Sequence, residues 1–324
     1  MKKTELFCTL GPKSLNKKFL RFAVGKVSLL RLNMSHVKIG KLQKTIKFIR
    51  RYSSTPICID TEGNQIRTKV KSTIKLKKNF IGKINRTGGI FNLYPNSVFD
   101  QVKINDILEI GFDNLKIEII KKKNNLIKFK TLVSGNLENN KGVHLANRNI
   151  SLKYLTEKDF KAINIAKKLK IKNFALSFTN THEDIKKFNS ILPNSRKIFK
   201  VETSLAIKNL NKLFKYGKNF LIDRGDLSKD ITLEKIPYFQ RFIFKKAKKF
   251  KKVKIFIATN FLESMIEKPY PTRAEANDIF SSLEMGASGL VLAAETAIGK
   301  YPAESVAFIR DMYSTFRKFR NNKL

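Results

Sequence analysis

Several short apolar runs in this chain end in charged or hydroxyl side chains, placed where a β-strand would give way to a loop. In Lys200-Val201-Glu202 the alternation of a strand sends Lys200 and Glu202 to one face, an ammonium beside a carboxylate. A later run passes into Asp223-Arg224-Gly225-Asp226-Leu227. There Gly225 lets the backbone approach a ligand, and Asp226 stands at a helix start whose N–H groups suit an anion. Glu202 and Asp226, two carboxylates from different strands with Lys and Arg close by, suit Mg²⁺ and a phosphate. Two earlier runs end in Arg31-Leu-Asn-Met-Ser-His36 and in Asp60-Thr-Glu-Gly-Asn-Gln-Ile-Arg-Thr68. Late runs give Ala258-Thr259-Asn260 with Leu262 to Ile266, then Pro271 to Glu275, then Ala294-Glu295-Thr296 ahead of Gly299 to Pro302. Taken singly, a Lys two residues from a Glu on a strand is more often a structural pair than a catalytic one, Asp-x-Gly-Asp is often a loop or helix cap, and His36 could cap a turn. The chemical reading rests on the order of the fragments and their shared position after strands.

The elements that must position them follow from the apolar pattern. Strands are expected at Leu6 to Leu10, Ser28 to Asn33, Pro56 to Asp60, Lys172 to Ser177, Lys197 to Val201, Asn219 to Ile222, Val253 to Thr259 and Gly289 to Ala293. Amphipathic helices are expected near 15–24, 37–51, 156–169, 182–190, 204–215, 232–250, 272–285 and 302–320. Thr156, with Lys158 and Asp159 after it, and Pro271-Thr272 signal two of the helix starts. Eight strand–helix units of this kind predict an α/β fold, a (β/α)8 TIM barrel whose site is built from the loops after its strands. After strand three the rhythm changes to short alternating segments, Val70 to Ile74, Ile107 to Ile110, Leu115 to Ile120 and Leu126 to Leu132, separated by turns. The reading is a barrel domain of residues 1–69 and 152–324, with residues 70–151 as an inserted β-barrel-like lid domain.

Composition narrows the class. In 324 residues, 66 Lys and Arg stand against 26 Asp and Glu, a formal charge of +40. Such a charge alone would point to nucleic acid. Abundant Lys, Asn, Ile and Phe with no Trp is also the pattern of A/T-rich coding drift, and the basic runs Lys121 to Lys123 and Lys245 to Lys252 fall at element ends and on a helix flank. Runs of that kind are ordinary solvated faces, so no nucleic-acid partner is expected, while anionic small molecules are. RNA binding driven by charge stays a third reading. Cys8 and Cys58 sit inside apolar runs as reduced core residues, which fits a cytoplasmic setting. Neither a signal-peptide core nor a membrane-spanning stretch is expected.

Together the fragments resemble the pyruvate kinase family over residues 4 to 310. Phe7-Cys-Thr-Leu-Gly-Pro12 is similar to the family's Cys-Thr-Ile-Gly-Pro, Arg31 to His36 to Arg-x-Asn-x-Ser-His, Asp60 to Thr68 to Asp-Thr-Lys-Gly-Pro-Glu-Ile-Arg-Thr, and Leu262 to Glu275 to the signature near the end of the barrel. The resemblance implies Mg²⁺-dependent phosphoryl transfer from phosphoenolpyruvate to ADP, giving pyruvate and ATP. It implies Mg²⁺ on Glu202 and Asp226, and K⁺ on Asn33, Ser35, Asp60 and Thr61. Catalytic roles fall to Lys200, which stabilises the phosphoryl group and the enolate oxygen, to Arg31, which grips the phosphoryl group, and to Thr259 near the protonated carbon. Gly225 and Asp226 would bind the substrate carboxylate, and Asn33, His36, Arg67 and Lys141 the nucleotide.

The chain departs from the family at Glu62-Gly-Asn-Gln65, which stands for Lys-Gly-Pro-Glu, and at Asp223, which stands for a small apolar residue. Asn260, Asn180 and Ala294 stand for Gln, Arg and Ser, and Gly111-Phe-Asp113 replaces an Asp-Asp-Gly turn. A weakened K⁺ response is expected from Gln65. The competing reading is a catalytically weakened paralogue that binds a phosphorylated metabolite or a partner protein. The family's C-terminal regulatory domain is expected to be missing after the last helix. A monomer or homodimer without sugar-phosphate regulation follows from that expectation.

Overall fold

The computed structural model describes residues 4–63, 65–86, 88–111, 115–146, 148, 150 and 152–321. Eight parallel strands form a closed barrel: β1 (Glu5–Thr9), β2 (Leu29–Asn33), β3 (Ile57–Asp60), β4 (Asn173–Leu176), β5 (Arg196–Val201), β6 (Asn219–Asp223), β7 (Lys254–Ala258) and β8 (Gly289–Leu292), with β8 closing on β1. Each strand is the expected run to within a few residues. Their interior is packed by Phe7, Leu29, Cys58, Ala175, Ile198, Leu221, Phe256 and Val291, one from each strand.

Side chains two positions apart on a strand share a face. The residue two places after each of those core residues is therefore also interior, one layer nearer the C-terminal end of the barrel. That layer reads Thr9, Arg31, Asp60, Ser177, Lys200, Asp223, Ala258 and Ala293. The apolar layer fixes the direction of the polar one.

Helices follow the strands as expected, with Lys17–Ala23, Ile39–Tyr52, Glu157–Lys168, His182–Ile191, Ile236–Ala247, Arg273–Glu284 and Pro302–Arg320 packed outside. The helix expected over 204–215 breaks at Asn209 into Ser204–Lys208 and Leu210–Tyr216. Thr272 caps its helix in a capping box with Glu275, whose carboxylate also accepts from Ser264 N at 2.8 Å and Ser264 Oγ at 2.6 Å. Asp159, expected as a helix-start signal, does something further. Fully buried in the first turn of its helix, it accepts N–H bonds from Glu62 at 2.7 Å and Gly63 at 3.0 Å.

The chain divides into two compact units, residues 1–63 with 157–324 and residues 64–156. The second unit begins a few residues before the expected position 70, because Ile66–Lys69 pairs with Gly142–Leu145 and Asn92–Tyr94. Its strands form a seven-stranded antiparallel sheet in the order Ile81–Asn85, Leu126–Val133, Leu115–Lys123, Ile107–Ile110, Gly142–Leu145, Ile66–Lys69, Asn92–Tyr94, with a separate pair, Gly135–Leu137 and Ile74–Leu76. The strand expected at Val70 to Ile74 is instead the connection into Ile74–Leu76. Phe91, Leu108, Ile117 and Phe129 lie in the core of this unit. The turn at 111–113 and the stretch at 62–65 fall partly outside the described residues.

Cys8 and Cys58 are free and buried, and burial pushes both thiols far above the ordinary range. Among the described residues no helix is long and apolar enough to cross a membrane.

The last helix is tied into the barrel through one hydroxyl. Tyr313 donates to Glu5 O at 2.9 Å and accepts from Leu290 N at 3.1 Å, joining that helix to β1 and β8. Tyr313→Phe keeps the ring but leaves a buried N–H without its acceptor. We expect a loss of about 1–3 kcal/mol in urea unfolding at unchanged slope; a loss near zero would mean that another acceptor takes the Leu290 N–H.

Candidate active site

The polar layer of the barrel meets around Lys200. Its Nζ lies 2.7 Å from Glu202 Oε1, 3.2 Å from Asp223 Oδ2 and 3.7 Å from Asp60 Oδ2, and it donates to Ser177 Oγ at 3.3 Å. All of these side chains are buried. Burial alone would lower the Lys200 pKa, but Asp60, Glu202 and Asp223 outweigh it and hold the ammonium well above the usual lysine range. Lys200 is therefore a permanent charge in a dry setting.

Arg31 is its neighbour across Asp60. Arg31 Nη1 lies 3.1 Å from Asp60 Oδ2, and Nε donates to Thr9 Oγ1 at 2.9 Å, which in turn donates to Leu292 O at 3.0 Å. Burial opposes its charge and the nearby carboxylates restore it, so the guanidinium also stays above its ordinary value. A planar fork held this way is suited to a phosphoryl group.

Glu202 continues the face of β5 beyond Lys200, and its Oε2 accepts the Phe178 N–H at 2.5 Å. Burial pushes its carboxyl up to about 8; Lys200 opposes the shift, and Asp226 and Asp223 add to it. A proton and a cation are thus alternative ways of neutralising this group. Oxygens of Glu202, Asp223 and Asp226 lie within 4.8 Å of one another, an all-oxygen donor set that fits a hard divalent ion. Asp226, half-buried on the helix Arg224–Asp230, also pairs with Lys229 at 2.6 Å.

Asn33 and Asp60 are register neighbours at the ends of β2 and β3. Asn33 Oδ1 accepts Ser35 N at 3.0 Å, and Thr61 O accepts Ser177 Oγ at 2.8 Å. Asp60 Oδ2 is buried and accepts no hydrogen bond, although it faces Arg31. The donors of Asn33, Asp60 and Thr61 are oxygens, the kind K⁺ takes, with Arg31 Nη1 and Lys200 Nζ also facing Asp60 Oδ2. His36 is exposed, its N–H donating to Asn33 O at 3.1 Å.

Thr259 closes the group from β7 with an unusual backbone. Its φ is 72°, followed by 58° at Asn260, left-handed conformations that a β-branched Thr adopts only when its surroundings hold it there. Two contacts do so. Gly225 N donates to Thr259 Oγ1 at 2.8 Å, and the Arg224 guanidinium donates to Thr259 O at 3.0 and 2.6 Å. Arg224 is itself fixed by Asp278 at 2.7 Å and lies 4.3 Å over the Phe261 ring. Glu295, also buried, gathers the N–H groups of Phe261, Leu262 and Ala293.

Arg67 and Lys141 belong to the second unit. Within it they lie on paired strands or next to them: Arg67 pairs with Gly142, Arg67 Nη1 donates to Asn140 O at 3.1 Å, and Lys141 Nζ lies 2.6 Å from Glu138. At the altered stretch Glu62 faces Lys158, at 2.9 Å, so the helix after the second unit supplies a cation beside it. Sequence reasoning quoted Thr9, Arg224 and Glu295 within its fragments but gave them no role, and it missed Ser177. For Ser177 a signal existed, since it stands at the end of strand four where the other strands carry their polar groups.

Arg224→Met should release the strained Thr259 backbone. We expect a stability loss of about 2–3 kcal/mol, from charged hydrogen bonds removed at a half-buried position, read by thermal unfolding. A variant as stable as the parent would show that Thr259 needs no clamp.

The comparisons agree with the geometry. The family description "Pyruvate kinase, barrel domain" matches residues 1–306. Pyruvate kinase from Thermotoga maritima is 30% identical over 323 residues, covering 94% of this chain and 69% of that protein. Those of Chlamydia muridarum and Methanocaldococcus jannaschii are 29% and 30% identical, over 98% and 94% of this chain and 69% and 68% of theirs.

Proposed function

The chain belongs to the pyruvate kinase family, and from that premise we propose that it transfers a phosphoryl group from phosphoenolpyruvate to ADP, in the cytoplasm, with Mg²⁺ and K⁺ as cofactors. The observation that carries this reading is Lys200, a buried ammonium kept charged by carboxylates from three strands. Phosphoryl transfer asks little covalent chemistry of a protein and much fixed positive charge at the oxygens where negative charge moves.

In this proposal Lys200 faces the phosphoryl group and the enolate oxygen left behind, and Arg31 holds the phosphoryl oxygens. Both cations are already oriented by Asp60, so no reorganisation is needed when charge shifts. Mg²⁺ on Glu202 and Asp226 would neutralise phosphoryl and carboxylate oxygens, and K⁺ at Asn33, Ser35, Asp60 and Thr61 would add a further positive charge. The substrate carboxylate is assigned to the backbone of Gly225 and Asp226. Gly225 N–H now donates to Thr259 Oγ1, so the carboxylate competes for that donor. Its arrival would take one donor from the Thr259 hydroxyl, which itself donates to Ala258 O at 2.5 Å. Asn33 and His36, both within the barrel unit, are assigned to the nucleotide.

A coupled assay with phosphoenolpyruvate, ADP, Mg²⁺ and KCl tests the reading. Turnover is expected, falling by about 100-fold or more in Lys200→Met. Because Lys200 sits among three carboxylates, the same change should also remove about 3–5 kcal/mol of stability, so the assay is run where circular dichroism shows the variant folded. Glu202→Gln should raise the Mg²⁺ concentration needed for half-maximal rate. No turnover by the parent under any of these conditions would leave the weakened-paralogue reading in its place.

A further inference from the structure

At the end of the barrel opposite the polar layer lies a cavity of about 840 Å³. The start of the sheet lines it: Glu5 and Lys254 open β1 and β7, and Ser28 and Ser288 stand one residue before β2 and β8. The last helix, Pro302–Arg320, forms a wall, fixed by the Tyr313 hydroxyl between Glu5 O and Leu290 N. The cavity is therefore preformed, and it lies wholly within the barrel unit. Leu6, Leu283 and Phe316, all buried, give it an apolar lining.

Five cations line the same cavity, Lys26, Lys254, Arg310, Arg317 and Arg320, against the single carboxylate of Glu5. That carboxylate is engaged elsewhere. Arg196 holds both its oxygens, at 2.7 and 2.9 Å, while Lys254 stays 4.0 Å away. Three of the other cations reach only carbonyls: Arg310 Nη1 donates to Gly25 O and Lys26 O at 3.3 Å each, Arg317 Nε to Tyr313 O at 3.3 Å and Lys26 Nζ to Phe22 O at 3.4 Å. Among the described residues, Lys26, Arg310, Arg317 and Arg320 form no ion pair. A helix C-terminus favours positive charge and so accounts for Arg317 and Arg320, in its last turn. It does not account for Lys26, Lys254 and Arg310. Like charges gathered around a concave, partly apolar surface focus their field into it.

Two hydroxyls point to the same kind of ligand. Ser28 Oγ accepts the Leu6 N–H at 3.2 Å and, among the described residues, donates to nothing; Ser288 Oγ makes no hydrogen bond there at all. Both residues are half-buried. Unspent O–H donors beside uncompensated cations call for oxygens that carry negative charge, and the apolar lining calls for a carbon body attached to them.

We propose that this cavity is a binding site for a small organic phosphate, a monoester whose charged oxygens meet the cations and hydroxyls and whose carbon body lies against Leu283 and Phe316. A phosphate monoester carries close to two negative charges and three acceptor oxygens at neutral pH, which suits both sets of donors. The site is at the far end of the barrel from Lys200 and does not depend on the reaction proposed above.

Isothermal calorimetry of the full chain with phenyl phosphate is the test. Saturable binding is expected, about tenfold tighter than that of inorganic phosphate because the ring covers apolar surface. The double variant Lys26→Gln with Arg310→Gln should bind phenyl phosphate about tenfold more weakly or worse. Ser288→Ala, which breaks no hydrogen bond among the described residues, should bind it about threefold more weakly. Lys245→Gln with Lys249→Gln removes the same charge from an exposed run and should change the affinity about twofold at most. Phosphate binding around Lys200 is common to all these variants and does not move with them. Circular dichroism establishes that each variant is folded. The proposal is overturned by no saturable binding in the parent, by parent-like binding in either cavity variant, by an equal loss in the Lys245 and Lys249 control, or by inorganic phosphate binding as tightly as phenyl phosphate. An inactive parent in the coupled assay leaves this test untouched.

Discussion

The Lys200 ammonium inside the barrel is the interaction on which the rest of the site depends. A lysine taken out of water keeps its proton only if carboxylates are brought with it, and here they come from β3, β5 and β6. Those carboxylates can be interior only because each stands an even number of residues from an apolar side chain that fills the barrel: Cys58 before Asp60, Ile198 before Lys200 and Glu202, Leu221 before Asp223. Moving any of these strands by one residue would turn a charge outward and an outer apolar residue inward. Core packing and site chemistry are two readings of the same register.

Around this charged layer the loops are held by side chains acting on backbone groups. Glu202 takes the Phe178 N–H, Glu295 takes three N–H groups near β7 and β8, and Arg224 takes the Thr259 carbonyl. The positive φ values at Phe178 and Thr259 are adjacent to these anchors. Strain of this kind costs about 1–3 kcal/mol per residue and persists where surroundings over-determine it. The site is therefore stiff by design of its supports, as electrostatic catalysis requires.

Much of this was legible in the sequence because alternation and helical periodicity are local. The eight barrel strands, the capped helix at Thr272 and the shared face of Lys200 and Glu202 needed only neighbouring residues. The short helix Ala294–Ala297 was not legible, being too short to show a period, and of Arg224–Asp230 only a start at Asp226 was expected. Nor was the work of Arg224, whose anchor Asp278 is distant in the chain, or of Asp159, whose type suggested a helix start while its carboxylate is drawn to Glu62 and Gly63. In the second unit Val70 to Ile74 has the composition of a strand, yet the residues that pair lie on either side, at Ile66–Lys69 and Ile74–Leu76. Propensity yields there to partner availability.

The Asp159 carboxylate also bears on how this chain is threaded. It binds the last two backbone amides before the second unit begins, from the first turn after that unit ends. The long excursion thus leaves and re-enters the barrel through one gate closed by a single side chain, and β3 meets β4 directly. Closing a loop depends only on the logarithm of its length, each doubling adding about 0.6 kcal/mol. For the barrel, the size of what hangs between Gly63 and Glu157 is then nearly a matter of indifference.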